Sequence, residues 1–473
     1  MKGVRRGSGW LGDIFVPVVP SARAAESLSA SVPTNLCRAG LCRTKQTYVS
    51  GVAISRPTAA DSLDDRRFTG IEEPSMIIDC DTHFMALDAF ERMPSKFGAI
   101  KPRIKLDENG AYAALEFPGA PPPKQGLTPV GAPGSGAHYP GMISMEERVR
   151  EYADMGIDFT VMIPQLNTWW NYTVEPELAV AMAHSWNLAA LEIDRKYPRH
   201  IASMAVMPLQ DVDGAVKEIQ WAHDQGFKGV VLDKVFPVNE HIYSEALGAQ
   251  RQLKPFWAAA EALGMPIFLH AIQHGHRASN NVLFQKEGLD FFAPNEGQMS
   301  LVSLFSSGVL DEFPRLKIVY TEAGTEFIKR LVDDLDATFD KEIVDFDNED
   351  ATPFFRGRGH DFTDARHTIL VRAKALTPPD VYLEKNKKRA SHYFKNNFWF
   401  TIETEEHFFP DAVEFLGADR FLFATDYPHD DPGGAMKFRD VEILANNKRI
   451  SERNKERIRH ENAREFLGLG THL

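Results

Sequence analysis

Eight short β-rich apolar runs recur along this chain, each closed by a polar residue or two and a loop and most of them followed by a stretch with helical spacing. The runs that read as strands are 77–83, 159–164, 202–207, 229–233, 266–270, 317–322, 398–403 and 421–426, and helical stretches stand at 177–195, 214–225, 325–339 and 451–467. Continuous apolar strands alternating with helices indicate parallel strands buried on both faces. Eight such units predict a closed, distorted (β/α)8 TIM barrel over residues 76–473. The connections after strands 1 and 6 are each about 75 residues long. Loops that follow strands build the functional face of such a barrel, so both insertions are expected to roof a site.

The strand ends carry the chemistry. Strand 1 closes on Asp79-Cys80-Asp81-Thr82-His83, strand 5 on His270, strand 6 on Glu322 and strand 8 on Asp426. Side chains alternate along a strand, so Asp81 and His83 point to the same side and can bind one ion together. Two carboxylates and two imidazoles (Asp81, His83, His270, Asp426), with a position left for water or substrate, suit one divalent cation, zinc first and manganese as the alternative. Such a cation polarises a carbonyl or activates water, with Glu322 placed to move the proton. Around this set, His274 and Arg277 are candidates for holding a substrate carboxylate, His429 for a second-shell or substrate contact, and Trp170 for stacking on a planar ring. Lys234, after strand 4, reads as a loop lysine or substrate contact.

The chain carries 66 acidic against 53 basic residues, a net charge of −13, which disfavours phosphate backbones and anionic lipid heads. No run approaches the roughly 18 apolar residues of a membrane span. Three cysteines cannot frame a disulfide scaffold, which fits a reducing compartment, so a cytoplasmic enzyme with a small-molecule substrate is expected. Residues 1–60 hold eight Lys/Arg against two Asp/Glu and show neither structural period, so 1–75 reads as a disordered N-terminal extension.

The segments Ile77-Ile78-Asp79-Cys80-Asp81-Thr82-His83, Pro266-Ile267-Phe268-Leu269-His270, Val319-Tyr320-Thr321-Glu322-Ala323-Gly324 and Phe423-Ala424-Thr425-Asp426-Tyr427-Pro428-His429 together resemble the amidohydrolase-related family. They are most similar to its branch of aminocarboxymuconate-semialdehyde, resorcylate and carboxyvanillate decarboxylases. The closing Glu461-Asn462-Ala463-Arg464 also resembles that branch. The resemblance implies one metal held by Asp81, His83, His270 and Asp426, non-oxidative decarboxylation or hydrolysis of a small carboxylated substrate, and allows a homodimer. The sequence departs from the branch at Asp81, where His is frequent, and at Glu322, where the decarboxylases usually carry a His. Alternative readings are hydrolysis of an ester, amide, lactone or C–C bond by metal-activated water, with Glu322 as base and Asp426 as proton acceptor, and a non-catalytic barrel stapled by its metal.

Overall fold

The computed structural model describes residues 76–106, 112–116, 139–164, 175–233, 236–239, 242–244, 247–270, 297–322, 324–340, 386–429 and 438–469, with a few single positions between them. The expected extension 1–75 lies outside the described residues, as do Trp170, Lys234, His274, Arg277 and most of the insertion after strand 6.

Eight parallel strands form the barrel: β1 (Ile78–Phe84), β2 (Phe159–Pro164), β3 (Ile201–Ser203, resumed at Ala205–Val206), β4 (Val230–Asp233), β5 (Ile267–His270), β6 (Ile318–Tyr320), β7 (Phe398–Glu403) and β8 (Phe421–Ala424). The first three pair in order, and the resumed half of β3 continues through β4, β5, β6 and β7 to β8. The break in β3 is a handover. Met204 N–H donates to Met162 O of β2 at 2.9 Å, and the next residue, Ala205, donates to Gly229 O beside β4 at 3.1 Å. The cylinder closes between β8 and β1, where Thr82 bridges Tyr427, His83 N–H donates to Tyr427 O at 2.6 Å and Asp426 N–H donates to Asp81 O at 3.1 Å. Strands β1, β2, β4, β5, β6 and β8 are buried at every position, as continuous apolar runs require.

Helices pack outside. α1 (Met145–Met155) starts at Ser144, whose hydroxyl accepts from Glu147 N–H, and stops at Gly156, whose φ of 77° suits a residue without Cβ. α2 (Pro176–Lys196) and α3 (Val212–Gln225) follow β2 and β3, and α4 (Lys254–Leu263) precedes β5. The expected helix 325–339 begins later, as α5 (Ile328–Asp340), because residues 324–327 form the turn that carries the chain away from β6. The expected closing helix is present over 452–467 but contains a π-helical turn, Arg457–Glu461, directly before Asn462. Asn462 donates its side-chain amide to Ala418 O and Phe421 O at 2.7 and 2.8 Å, fastening this helix under β8. Among the described residues, no helix is long and apolar enough to cross a membrane.

Strand β1 is not regular. Asp79 stands opposite Thr160 but Thr82 opposite Met162, so β1 carries one extra residue, a bulge at positions 80–81. Asp79 therefore turns to the α1 side and takes hydrogen bonds from Tyr152 Oη (3.1 Å), Thr425 N–H (3.1 Å) and Thr425 Oγ1 (2.5 Å). Burial pushes its pKa up to about 7 against the pull of those donors. Asp79→Ala would strand three buried donors at the seam of the barrel. We expect it to cost about 3–5 kcal/mol in urea unfolding, well above an ordinary surface substitution.

Candidate metal centre

The carboxyl ends of β1, β5, β6 and β8 converge. Asp81 lies in the bulge of β1 and His83 beyond it, His270 is the last residue of β5, and Glu322 and Asp426 lie two residues beyond β6 and β8. Both of the latter adopt left-handed backbone, at φ 47° and 53°, a region that side chains other than Gly, Asn and Asp seldom enter. This is where the structure departs from the expected strands 317–322 and 421–426: each ends early so that its carboxylate can turn inward. Strain of this kind gathers at functional sites.

The imidazole of His83 stands at the centre. Its Nε2 is 2.9 Å from Asp426 Oδ1 and 4.0 Å from Asp81 Oδ1, and His270 Nε2 is 3.8 Å from Asp81 Oδ1 and 3.5 Å from Glu322 Oε2. The His83 ring meets His270 edge-on at 4.8 Å and stacks on His429 at 4.6 Å. Asp81, His83 and His270 form one set of potential ligands, and His83, Asp426 and His429 a second that shares His83. His429 Nδ1 lies 3.0 and 3.2 Å from the two Asp426 oxygens, the placement of a group that orients a carboxylate. Thr401 of β7 donates to Asp81 Oδ2 at 3.1 Å.

The donor set fits a divalent cation. Asp81 Oδ1 and His83 Nδ1 are buried without a hydrogen bond, and His83 Nε2 faces Asp426 Oδ1 at 2.9 Å. Burial, then the charges of Asp426 and Glu322, drive the Asp81 pKa well above the carboxylate range, so its ionised form calls for a cation beside it. Burial, reinforced by His429, lowers the pKa of His83 and keeps the imidazole neutral, as a ligand must be. Burial opposes the charge on Asp426, but His429 and His83 outweigh it and hold its pKa below the usual range. Ligand atoms around a tetrahedral first-row cation lie roughly 3.4 Å apart. The 2.9, 3.8 and 4.0 Å separations straddle that value.

All the expected residues of the described part, Asp81, His83, His270, Glu322, Asp426 and His429, are thus brought together; His274, Arg277 and Trp170 lie outside it. Sequence reasoning missed Thr401 and Glu403. Thr401 faces Asp81, and Glu403, two residues on in the same strand, shares its face. Burial and then Asp426 push the Glu403 pKa well above the ordinary carboxylate range. Its signal was available: Glu403 is a carboxylate at the end of an apolar strand, as Glu322 and Asp426 were expected to be.

A closed parallel barrel with carboxylates and imidazoles crowded at its carboxyl-end face defines a metal-dependent (β/α)8 enzyme. The chain belongs to the amidohydrolase family, whose model matches residues 78–340 and 369–469. It is 26% identical over 300 residues, 62% of this chain and 77% of the relative, to gamma-resorcylate decarboxylase of Rhizobium sp. strain MTP-10005. To 2-amino-3-carboxymuconate-6-semialdehyde decarboxylase of Dictyostelium discoideum it is 21% identical over 328 residues, 68% and 76% of the two chains. Among solved structures, an amidohydrolase from Mycobacterium avium subsp. paratuberculosis aligns with a TM-score of 0.59 at 20% identity, over 85% of this chain and 100% of that one. A dihydroxybenzoic acid decarboxylase from Polaromonas sp. JS666, with bound manganese and 2-nitroresorcinol, aligns with a TM-score of 0.56 at 18% identity, over 84% and 97%. These matches make the chain an enzyme of the amidohydrolase superfamily with its (β/α)8 fold.

Proposed function

We propose that the chain is a metal-dependent, non-oxidative decarboxylase of a small aromatic or unsaturated carboxylate. Asp81, His83, His270 and Asp426 hold one divalent cation, and Glu322 moves the proton. The observation that carries this reading is the placement of Glu322: it lies 3.5 Å from His270 Nε2 yet keeps 27% of its side chain open, against 4, 2, 7 and 16% for Asp81, His83, His270 and Asp426. It is the most open side chain of these five, and so the one placed to meet a substrate. The named decarboxylases among the relatives support the same chemistry.

When bound, the cation supplies Lewis-acid charge for the substrate's carboxylate and a neighbouring oxygen, and zinc and manganese both suit this donor set. Asp426, held ionised, serves as a ligand and leaves the proton work to Glu322. Glu322 gives its proton to the substrate carbon that bears the carboxylate. The bond between that carbon and the carboxylate then breaks, carbon dioxide leaves, and the electron pair of the bond stays on the remaining carbon framework. Glu322 recovers its proton through its open side. His274, Arg277 and Trp170, which follow β5 and β2 in the sequence, are proposed to hold the substrate, with Arg277 matching a carboxylate by its fork of donors.

The test is incubation of the metal-loaded chain with a panel of hydroxybenzoates and simple esters, amides and lactones while carbon dioxide is followed. Carbon dioxide equal to the acid consumed is expected. Hydrolysis products without carbon dioxide would move the chain to the hydrolase side of its superfamily.

A further inference from the structure

Arg148 of α1 is fully buried, and among the described residues its guanidinium bonds two backbone oxygens and a hydroxyl and no carboxylate. A guanidinium stays charged at any ordinary pH, so such burial is costly unless its donors are spent on something that needs them. Nε donates to Gly141 O at 3.0 Å, Nη1 to Thr82 Oγ1 at 3.0 Å, and Nη2 to the backbone oxygen of His83. The guanidinium also lies 4.6 Å from the centre of the Tyr427 ring and 5.6 Å from that of Tyr152.

These contacts converge on the two chain segments that carry the candidate ligands. Thr82 sits between Asp81 and His83, and Tyr427 directly follows Asp426. The peptide groups of His83 are gripped from both directions: its N–H by Tyr427 O at 2.6 Å, its carbonyl by Arg148. The approach is tight, since a Cβ added at Gly141 would lie 2.9 Å from Arg148 Cα and overlap the Tyr427 hydroxyl. Arg148 works from the α1 side of β1, the side that Thr82 faces, and has no reach to a substrate.

We propose that Arg148 is a positioning residue of the metal centre, which sets the spacing between the β1 ligands and the β8 ligand by clamping the backbone of His83 against Tyr427. This rests on the reading of the strand-end cluster as a metal site. It goes beyond that reading because it assigns the site's geometry to a side chain outside the barrel.

The test uses the full chain and Mn2+, with affinity read by competition with a chelator and ligand geometry by the visible spectrum of the Co2+-loaded protein. Arg148→Met is expected to weaken Mn2+ binding by about 10–100-fold, the range typical of outer partners of metal ligands, and to change the Co2+ spectrum. Arg148→Lys keeps the charge but replaces a planar fork with a single point donor, so an intermediate loss is expected; it decides the matter alone should the Met variant not fold. Asn187→Ala serves as the control, because Asn187 is equally buried but bonds Val206 of β3 and Glu218. It should lower the melting temperature with Mn2+ affinity unchanged. Arg148 variants that lose melting temperature but bind Mn2+ within about twofold of the parent, with the same Co2+ spectrum, would overturn the proposal. A parent chain that binds neither Mn2+ nor Zn2+ would instead overturn the metal reading itself.

Discussion

Replacing His270 by Ala is expected to abolish stoichiometric metal binding and, with it, turnover. His270 closes the cluster between Asp81 and Glu322, at 3.8 and 3.5 Å from their carboxylate oxygens. Without it, Asp81 and Glu322 are left facing each other across the gap. The loss should exceed the roughly 10–100-fold in affinity that removal of an outer-shell partner costs. Elemental analysis of the purified variant checks this directly, and full metal retention would remove His270 from the ligand set. Little global destabilisation is expected, since the main-chain pairing of β5 with β4 and β6 does not involve the imidazole.

Glu322→Gln should give the opposite pattern: metal retained, turnover reduced by about 10²–10⁴-fold, the range set by loss of a positioned proton carrier. Gln keeps the length and the hydrogen-bonding capacity of the side chain, and it removes only the proton that the carboxyl can give. Since φ at position 322 is 47° in the parent, the isosteric change asks nothing new of the backbone. Single-turnover carbon dioxide release, measured beside metal content, separates the two substitutions. Unchanged turnover in the Gln variant would remove Glu322 from the proton path.

Much of the barrel was legible because its strands are buried on both faces. Continuous apolar runs gave β2 and β7 their observed limits, Phe159–Pro164 and Phe398–Glu403, and most of the other strands to within two residues. The candidate ligands were legible for a related reason: a charged or imidazole group at the end of an apolar run has no place in the core, so it belongs to the rim. What escaped depends on the neighbours of a residue more than on its own type. The bulge that swings Asp79 away from Asp81 leaves no mark on the pattern of apolar residues, and nor does the handover at Met204. The left-handed turns at Glu322 and Asp426 are invisible because neither position carries Gly. Arg148 lies in the run Met145-Glu-Glu-Arg-Val-Arg-Glu, where nothing in the sequence sets it apart from the neighbouring Arg150. Its burial comes from the backbone oxygens at the end of β1, which no local pattern records.

The carboxyl ends of β1, β5 and β8 are proposed to hold one divalent cation. The most direct test is elemental analysis of the full chain, purified without chelator and then dialysed against Mn2+ or Zn2+, beside a double variant in which Asp81 and His83 are both replaced by Ala. One equivalent of metal is expected in the parent and none in the variant. A parent without bound metal, or a variant that keeps its full equivalent, would contradict it.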